Sequence, residues 1–246
     1  MQNAHAKWLW SSCQSCPTCK VQYTNCPNQE NSGRSVPGTF QCEKYLVSPA
    51  DFVSPIPETL TPETVAPLLC SGLILYGALN KLDTKCNKGN WVVPHHGCIQ
   101  IGREMGYRII ASGAEAFIDL QDDPTIKIQA LTDSIGAHAV IVVVGLEKAY
   151  EQSVTFLRPV GTLVCMGLPQ PDYHLPISPL VCVDRGYRMV GSAVDTEAEM
   201  QALLGLAAEW KVVTHMRMIE PAEVNEVAGP LRRFAVEGRA VLRIPV

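Results

Sequence analysis

Four of the ten cysteines crowd into fourteen residues: Cys13-Gln-Ser-Cys16-Pro-Thr-Cys19, then six residues and Cys26. Two successive C-x2-C steps fold the backbone so that thiolates converge, and a fourth thiolate from a short loop closes a tetrahedron. Zn2+ takes four sulfurs in this way at about 2.3 Å, and four protein ligands leave no open position. A site at Cys13, Cys16, Cys19 and Cys26 is therefore expected to be structural. It would organise by binding energy a segment that has little to bury. Residues 1–60 are such a segment, rich in Pro, Ser, Asn, Gln and Cys, with short extended pieces such as residues 38–47. The bland alternative is a set of free surface thiols, and the clustering argues against it. The other six cysteines (Cys42, Cys70, Cys86, Cys98, Cys165, Cys182) are scattered.

The texture changes at Thr61. Thr61-Pro62-Glu63 supplies an N-cap, a first-turn proline and an acid, and apolar residues then recur at helical spacing to Leu79. After that helix, strand-like runs at 91–93, 107–110, 116–118, 138–144, 161–166 and 188–190 alternate with helical patterns at 99–105, 124–135, 147–157 and 196–210. The run HAVIVVV at 138–144 is continuous in the way of a strand buried on both faces of a parallel sheet. Alternation of this kind predicts an α/β fold with a doubly wound parallel sheet. A last helix is expected over 221–237 and a last strand over 240–244.

Other functions are excluded by composition. A chain of 246 residues can bury one large core or two modest ones, and 47% hydrophobic with 18% charged residues is ordinary for a globular protein. The net charge of −4 is interspersed, so neither nucleic acid nor an anionic membrane is an expected partner. The longest apolar run, residues 139–145, is far too short to span a bilayer. Residues 1–12 lack an apolar signal core and a cleavage site, so the expected location is the cytoplasm.

The stretch Trp8-Leu-Trp-Ser-Ser-Cys13-x-x-Cys16-x-x-Cys19, followed by Cys26-Pro-Asn-Gln and Asn31-Ser-Gly, resembles the structural-zinc lobe of microbial, medium-chain zinc alcohol dehydrogenases. The last gap is one residue shorter than is usual in that family. Ala66-Pro67-Leu68-Leu69-Cys70-Ser71-Gly72, then Tyr76-Gly77-Ala78-Leu79, is similar to the segment that gives the family its third catalytic-zinc ligand. Taken alone, Cys70 reads as a small buried hydrophobe in an apolar helix. The resemblance makes it a catalytic metal ligand. The family's other two ligands, a Cys and a His in a Gly-His-Glu context, precede the lobe and have no counterpart here, because none of the six histidines is followed by Glu. One thiolate cannot hold zinc in an open tetrahedral site. Short of a substitution by His95 or His96, no catalytic zinc is expected.

The resemblance continues into the cofactor domain. Both flanks of the family's glycine loop match, at Trp91-Val92-Val93-Pro94 and at Met105-Gly106-Tyr107-Arg108, but only Gly97 and Gly102 lie between them. No G-x-G-x-x-G remains to bring backbone N–H groups to a pyrophosphate. The acid that reads a ribose hydroxyl is also missing after Ala111, and Asp119 and Asp122 read as solvated loop charges. Downstream the match is nearly unbroken. By resemblance, backbone near Val144, Met166 and Leu168 meets the nicotinamide end of NAD or NADP, and Arg239 meets a cofactor phosphate. From the residues alone, Val144 and Leu168 are core or strand-end positions and Arg239 a solvated charge.

The resemblance implies three spans. Residues 1–60 would be a remnant of the GroES-like catalytic domain carrying the zinc lobe. Residues 61–210 would form a Rossmann-like domain lacking part of its first βαβ unit, and residues 211–246 a return to the catalytic domain. It further implies an oxidoreductase acting on a small alcohol or aldehyde, impaired by the missing motifs. It leaves room for a homo-oligomer built on the sheet edge near 188–190. The alternatives are an inactive zinc-binding remnant and a dehydrogenase that works without catalytic zinc.

Overall fold

The computed structural model describes the chain apart from residues 1–3, 7–8, 33–47, 83–89, 93–95, 111–122, 195, 234, 237 and 245–246. The extended pieces expected at 38–47 and 116–118 lie outside the described residues, as do His95, Asp119, Asp122 and the side chain of His96. Two units emerge, one of residues Met1–Leu73 with Val194–Val246 and one of Ile74–Ala193. Their limits differ from the expected 1–60, 61–210 and 211–246.

The first unit begins with β1 (Ala4–Ala6), β2 (Leu9–Ser11), α1 (Pro17–Gln22), β3 (Glu30–Asn31) and β4 (Val53–Pro55). β1 pairs antiparallel with β4, and β2 with β3. Two- and three-residue ladders do not hold themselves together in water, and α1 buries none of its residues. The segment is tied down instead by Tyr23, whose ring meets Phe52 edge-on at 6.4 Å and whose hydroxyl accepts the Glu197 N–H at 2.6 Å.

The helix expected over 61–79 starts as foreseen. Thr61 Oγ1 accepts the Thr64 N–H at 3.3 Å, and Pro62 opens α2 (Pro62–Val65). It does not run through. Pro67 has no N–H to give to a preceding turn, so α2 ends there. The chain then makes a π-turn over Leu68–Gly72, in which the Gly72 N–H bonds to the Pro67 carbonyl at 3.4 Å, before α3 (Leu73–Asn80) resumes.

The second unit holds β5 (Asn90–Val92), α4 (His96–Glu104), β6 (Arg108–Ile110), α5 (Pro124–Leu131), β7 (Ala137–Val142), α6 (Glu147–Phe156), β8 (Leu157–Cys165), α7 (Pro179–Arg185) and β9 (Arg188–Gly191). The strands form one parallel sheet in the order β6-β5-β7-β8-β9, so the winding reverses between β5 and β7. Val140, Val142 and Leu163 pack with Ile128, Tyr150 and Phe156 into its core. Gly102 lets α4 lie close to β6, because a Cβ there would sit 2.5 Å from Ile109 Cδ1.

The chain returns to the first unit as α8 (Glu197–Ala208), β10 (Met216–Ile219), α9 (Val224–Arg232) and β11 (Arg239–Leu242). Thr196 and Glu199 form a reciprocal capping box at the start of α8, which buries Met200, Leu203, Leu204 and Ala207. β10 and β11 pair in parallel. The helix expected over 221–237 is shorter: a 3-10 turn at Pro221–Glu223 leads into α9, which stops at Arg232. Among the described residues no helix is long and apolar enough to cross a membrane.

Candidate metal centre and cofactor crevice

Cys13, Cys16, Cys19 and Cys26 converge. Their four sulfurs lie within 4.8 Å of one another. Cys26 Sγ is 3.5 Å from Cys13 Sγ and 4.0 Å from Cys16 Sγ, and Cys13 Sγ is 3.8 Å from Cys19 Sγ. Four sulfurs at the corners of a tetrahedron about Zn2+ stand roughly 3.8 Å apart, given a Zn–S distance of about 2.3 Å. The donor set and its spacing fit a closed ZnS4 site.

Local backbone builds this geometry. Gln14 takes a left-handed φ of 53°, which turns the chain back on itself inside the first C-x2-C step. Cys16 caps α1, its sulfur accepting the Cys19 N–H at 3.4 Å, and Cys26 Sγ accepts the Asn28 N–H at 3.4 Å. Backbone N–H groups of Ser15 and Cys16 hold the Cys13 thiol down to about 5, helped by the Cys26 and Cys16 thiols. Partial burial, then the neighbouring sulfurs of Cys26, Cys16 and Cys13, push Cys19 up to about 12. Thiols this close cannot all ionise side by side. A divalent cation at their centre relieves the conflict, because the thiolate is the metal-binding form. Among the described residues this is the one group of three or more metal-ligating side chains.

Cys70 sits in the π-turn and is exposed, which corrects the reading of a buried hydrophobe drawn from its apolar neighbours. Leu68 and Leu69 point into the core, while the wider i to i+5 turn carries Cys70 outward. Single π-turns inside α-helices are frequent at functional sites. Cys70 lines a cavity of about 300 Å³ together with Ala66, Pro67 and Ser71 on one side and Arg239–Leu242 on the other. Arg239 is exposed at the start of β11, and the turn before it requires glycine, because Gly238 has φ 69° and a Cβ there would sit 2.5 Å from the His215 carbonyl oxygen. Two residues singled out separately thus face one cavity. Its described lining holds one thiol and no imidazole or carboxylate, so these residues do not fit the three-ligand open site of a catalytic zinc.

Val144, Met166 and Leu168 lie just past the carboxyl ends of β7 and β8, beside the reversal between β5 and β7 where doubly wound sheets take ligands. Val144 and Met166 are half-buried and Leu168 is 89% exposed. The two turns are stacked backbone on backbone. A Cβ on Gly145 would sit 2.2 Å from the Leu168 oxygen, and one on Gly167 2.1 Å from the Val144 oxygen. The Met166 and Gly167 N–H groups both bond to the Val142 carbonyl, at 3.1 and 2.8 Å. These turns are the positions that the resemblance assigns to the nicotinamide end of a dinucleotide. At the pyrophosphate end, α4 begins three residues after β5, and the connecting sequence Val93-Pro94-His95 holds no glycine.

Tyr23 and Tyr150 were not among the sequence-derived candidates. Tyr150, on α6, donates its hydroxyl to the Gly167 carbonyl at 2.6 Å. A tyrosine in an amphipathic helix reads as core, and nothing local reveals a partner 17 residues away or, for Tyr23, 174 residues away.

Residues 98–209 match the model of the zinc-binding dehydrogenase family. The chain is 34% identical to alcohol dehydrogenase 2 of Emericella nidulans over 96% of its own length and 72% of that protein. It is 35% identical to an alcohol dehydrogenase of Geobacillus stearothermophilus, covering 96% of this chain and 74% of that one. The fold matches the crystal structure of an alcohol dehydrogenase from Aeropyrum pernix with a TM-score of 0.85 at 21% identity, over 99% of this chain and 76% of that chain.

Proposed function

The chain belongs to the zinc-type alcohol dehydrogenase family of medium-chain dehydrogenases, and from that premise we propose that it is a nicotinamide-dependent oxidoreductase acting on a small alcohol or aldehyde, with one structural zinc held by Cys13, Cys16, Cys19 and Cys26. The observation that carries this reading is the convergence of four sulfurs within 4.8 Å of one another, three of the separations being 3.5 to 4.0 Å, in a chain with these relatives. When bound, NAD or NADP supplies the acceptor for a hydride leaving the alcohol carbon as the O–H proton is lost and the C=O bond forms. The protein's part is to orient. Backbone at Val144, Met166 and Leu168 receives the nicotinamide end, and the exposed guanidinium of Arg239 suits a cofactor phosphate. Cys70 is, on the resemblance, the candidate catalytic residue of the first unit. The expected setting is the cytoplasm, with β9, paired on one side to β8, as the edge through which two copies would join.

A second reading is favoured by the lining of the Cys70 cavity: a zinc-stabilised protein that keeps the fold and binds cofactor weakly or not at all, without turnover. Zinc content per chain, fluorescence titration with NADH and alcohol-dependent reduction of NAD or NADP separate the two. Zinc with saturable cofactor binding and turnover supports the enzyme. Zinc without turnover supports the second reading. Folded protein without zinc contradicts both.

A further inference from the structure

We infer that Tyr150 is a positioning residue for cofactor binding: its hydroxyl holds the Met166–Leu168 turn in the conformation that receives the nicotinamide end. The inference rests on the cofactor reading above. Tyr150 lies on α6, which starts immediately after the Gly145 turn, so one helix leaves the first turn and braces the second. Its side chain is 4% exposed, and its hydroxyl makes a short bond, 2.6 Å, to the Gly167 carbonyl. Gly167 is the residue whose missing Cβ lets the two turns stack, with the Val144 oxygen 2.1 Å from where that atom would be. The carbonyl of Gly167 is therefore pinned from the helix side while its N–H is pinned by Val142 at 2.8 Å. The two peptide units that flank the Gly167 Cα are thus each held by one hydrogen bond, which restrains the backbone on both sides of it.

A second tyrosine extends the brace. The Tyr173 ring packs on Tyr150 with centroids 6.0 Å apart, and its hydroxyl donates to the Glu147 carbonyl at 3.4 Å. The segment after β8 is thus tied to the first turn of α6 at two points. Burial, followed by the proximity of Cys165 and Tyr173, pushes the Tyr150 hydroxyl up to about 12, so it remains a donor near neutral pH.

Tyr150→Phe tests this by removing one oxygen and keeping the ring in the core. NADH binding is read by fluorescence titration, and the unliganded protein is followed by hydrogen–deuterium exchange. The variant is expected to bind NADH about five-fold more weakly, the scale of one lost neutral hydrogen bond. Exchange over residues 166–169 should rise while β7 and the zinc content stay as in the wild type. A residue that merely fills the core would leave NADH affinity and local exchange unchanged, and that result overturns the inference while leaving the cofactor reading intact. If wild-type protein shows no saturable NADH binding, the cofactor reading fails and the inference with it.

Discussion

Val160 shows how much strain one residue can carry. It is β-branched, 71% exposed and held at φ 59° inside β8, where the register with β7 shifts between the Leu157 and Thr162 pairings. For such a side chain the left-handed region costs roughly 1–2 kcal/mol. With most of its surface in solvent, the side chain buries little to offset that cost. Val160→Gly is therefore expected to stabilise the protein by about 1 kcal/mol, seen as a higher urea midpoint at constant slope; a lower midpoint would show that the turn needs its side chain. At this scale the convergence of Cys13, Cys16, Cys19 and Cys26 was legible in the sequence because it is encoded in spacing. Cys70 was singled out only through resemblance. Its exposure depends on a π-turn set by Pro67, and the apolar neighbours that suggested burial are the residues that do face inward. Tyr150 was not legible, because a hydroxyl's partner across a fold leaves no mark on the helix that carries it.

Glycines at the turns and caps at the helix starts decide how the elements meet. Gly167→Ala would drive a methyl into the Val144 carbonyl, with the nearest backbone atom 2.1 Å away on a segment that cannot swing aside. The two turns should be forced apart, lowering stability by about 2 kcal/mol and abolishing any NADH binding, as thermal unfolding and fluorescence titration would show. Thr196→Ala removes the side-chain half of the α8 capping box and is expected to cost about 1 kcal/mol, measured by denaturant unfolding. Strong periodic elements were legible at this scale, including β7, α6, α8 and the parallel arrangement of the sheet. The misses have local causes. α7 has its signals in place, with Ser178 capping, Pro179 opening and Gly186 at φ 64° closing, but it buries no residue and so shows no periodicity. β10 is four residues long, too short for alternation to stand out. The 61–79 pattern reads as one helix because apolar spacing survives a π-turn, while a proline's missing donor does not change hydrophobicity.

At the scale of the molecule, two differently built units share one chain. The sheet of the second unit rests on a continuous apolar core, whereas residues 9–32 of the first unit rest on a short ladder, Tyr23 and four sulfurs. Withdrawing metal with a strong chelator should therefore raise amide exchange over residues 13–32 first, with β7 and β8 still protected. Equal loss of protection in both regions would contradict a metal-organised lobe. Fold class was legible at this scale because strand–helix alternation and the family resemblance agree. α8 packs within the first unit at Gly72, where a Cβ would meet Leu203 at 3.2 Å, and no composition shift marks that contact.

We propose that four cysteines hold this family member together around one closed zinc–sulfur centre, and among the described residues no second ligand set fits a catalytic zinc. Elemental analysis of folded, extensively dialysed protein tests it most directly. One zinc per chain, lost in Cys16→Ser, is the expected result. Two zinc ions per chain, or none, would contradict it.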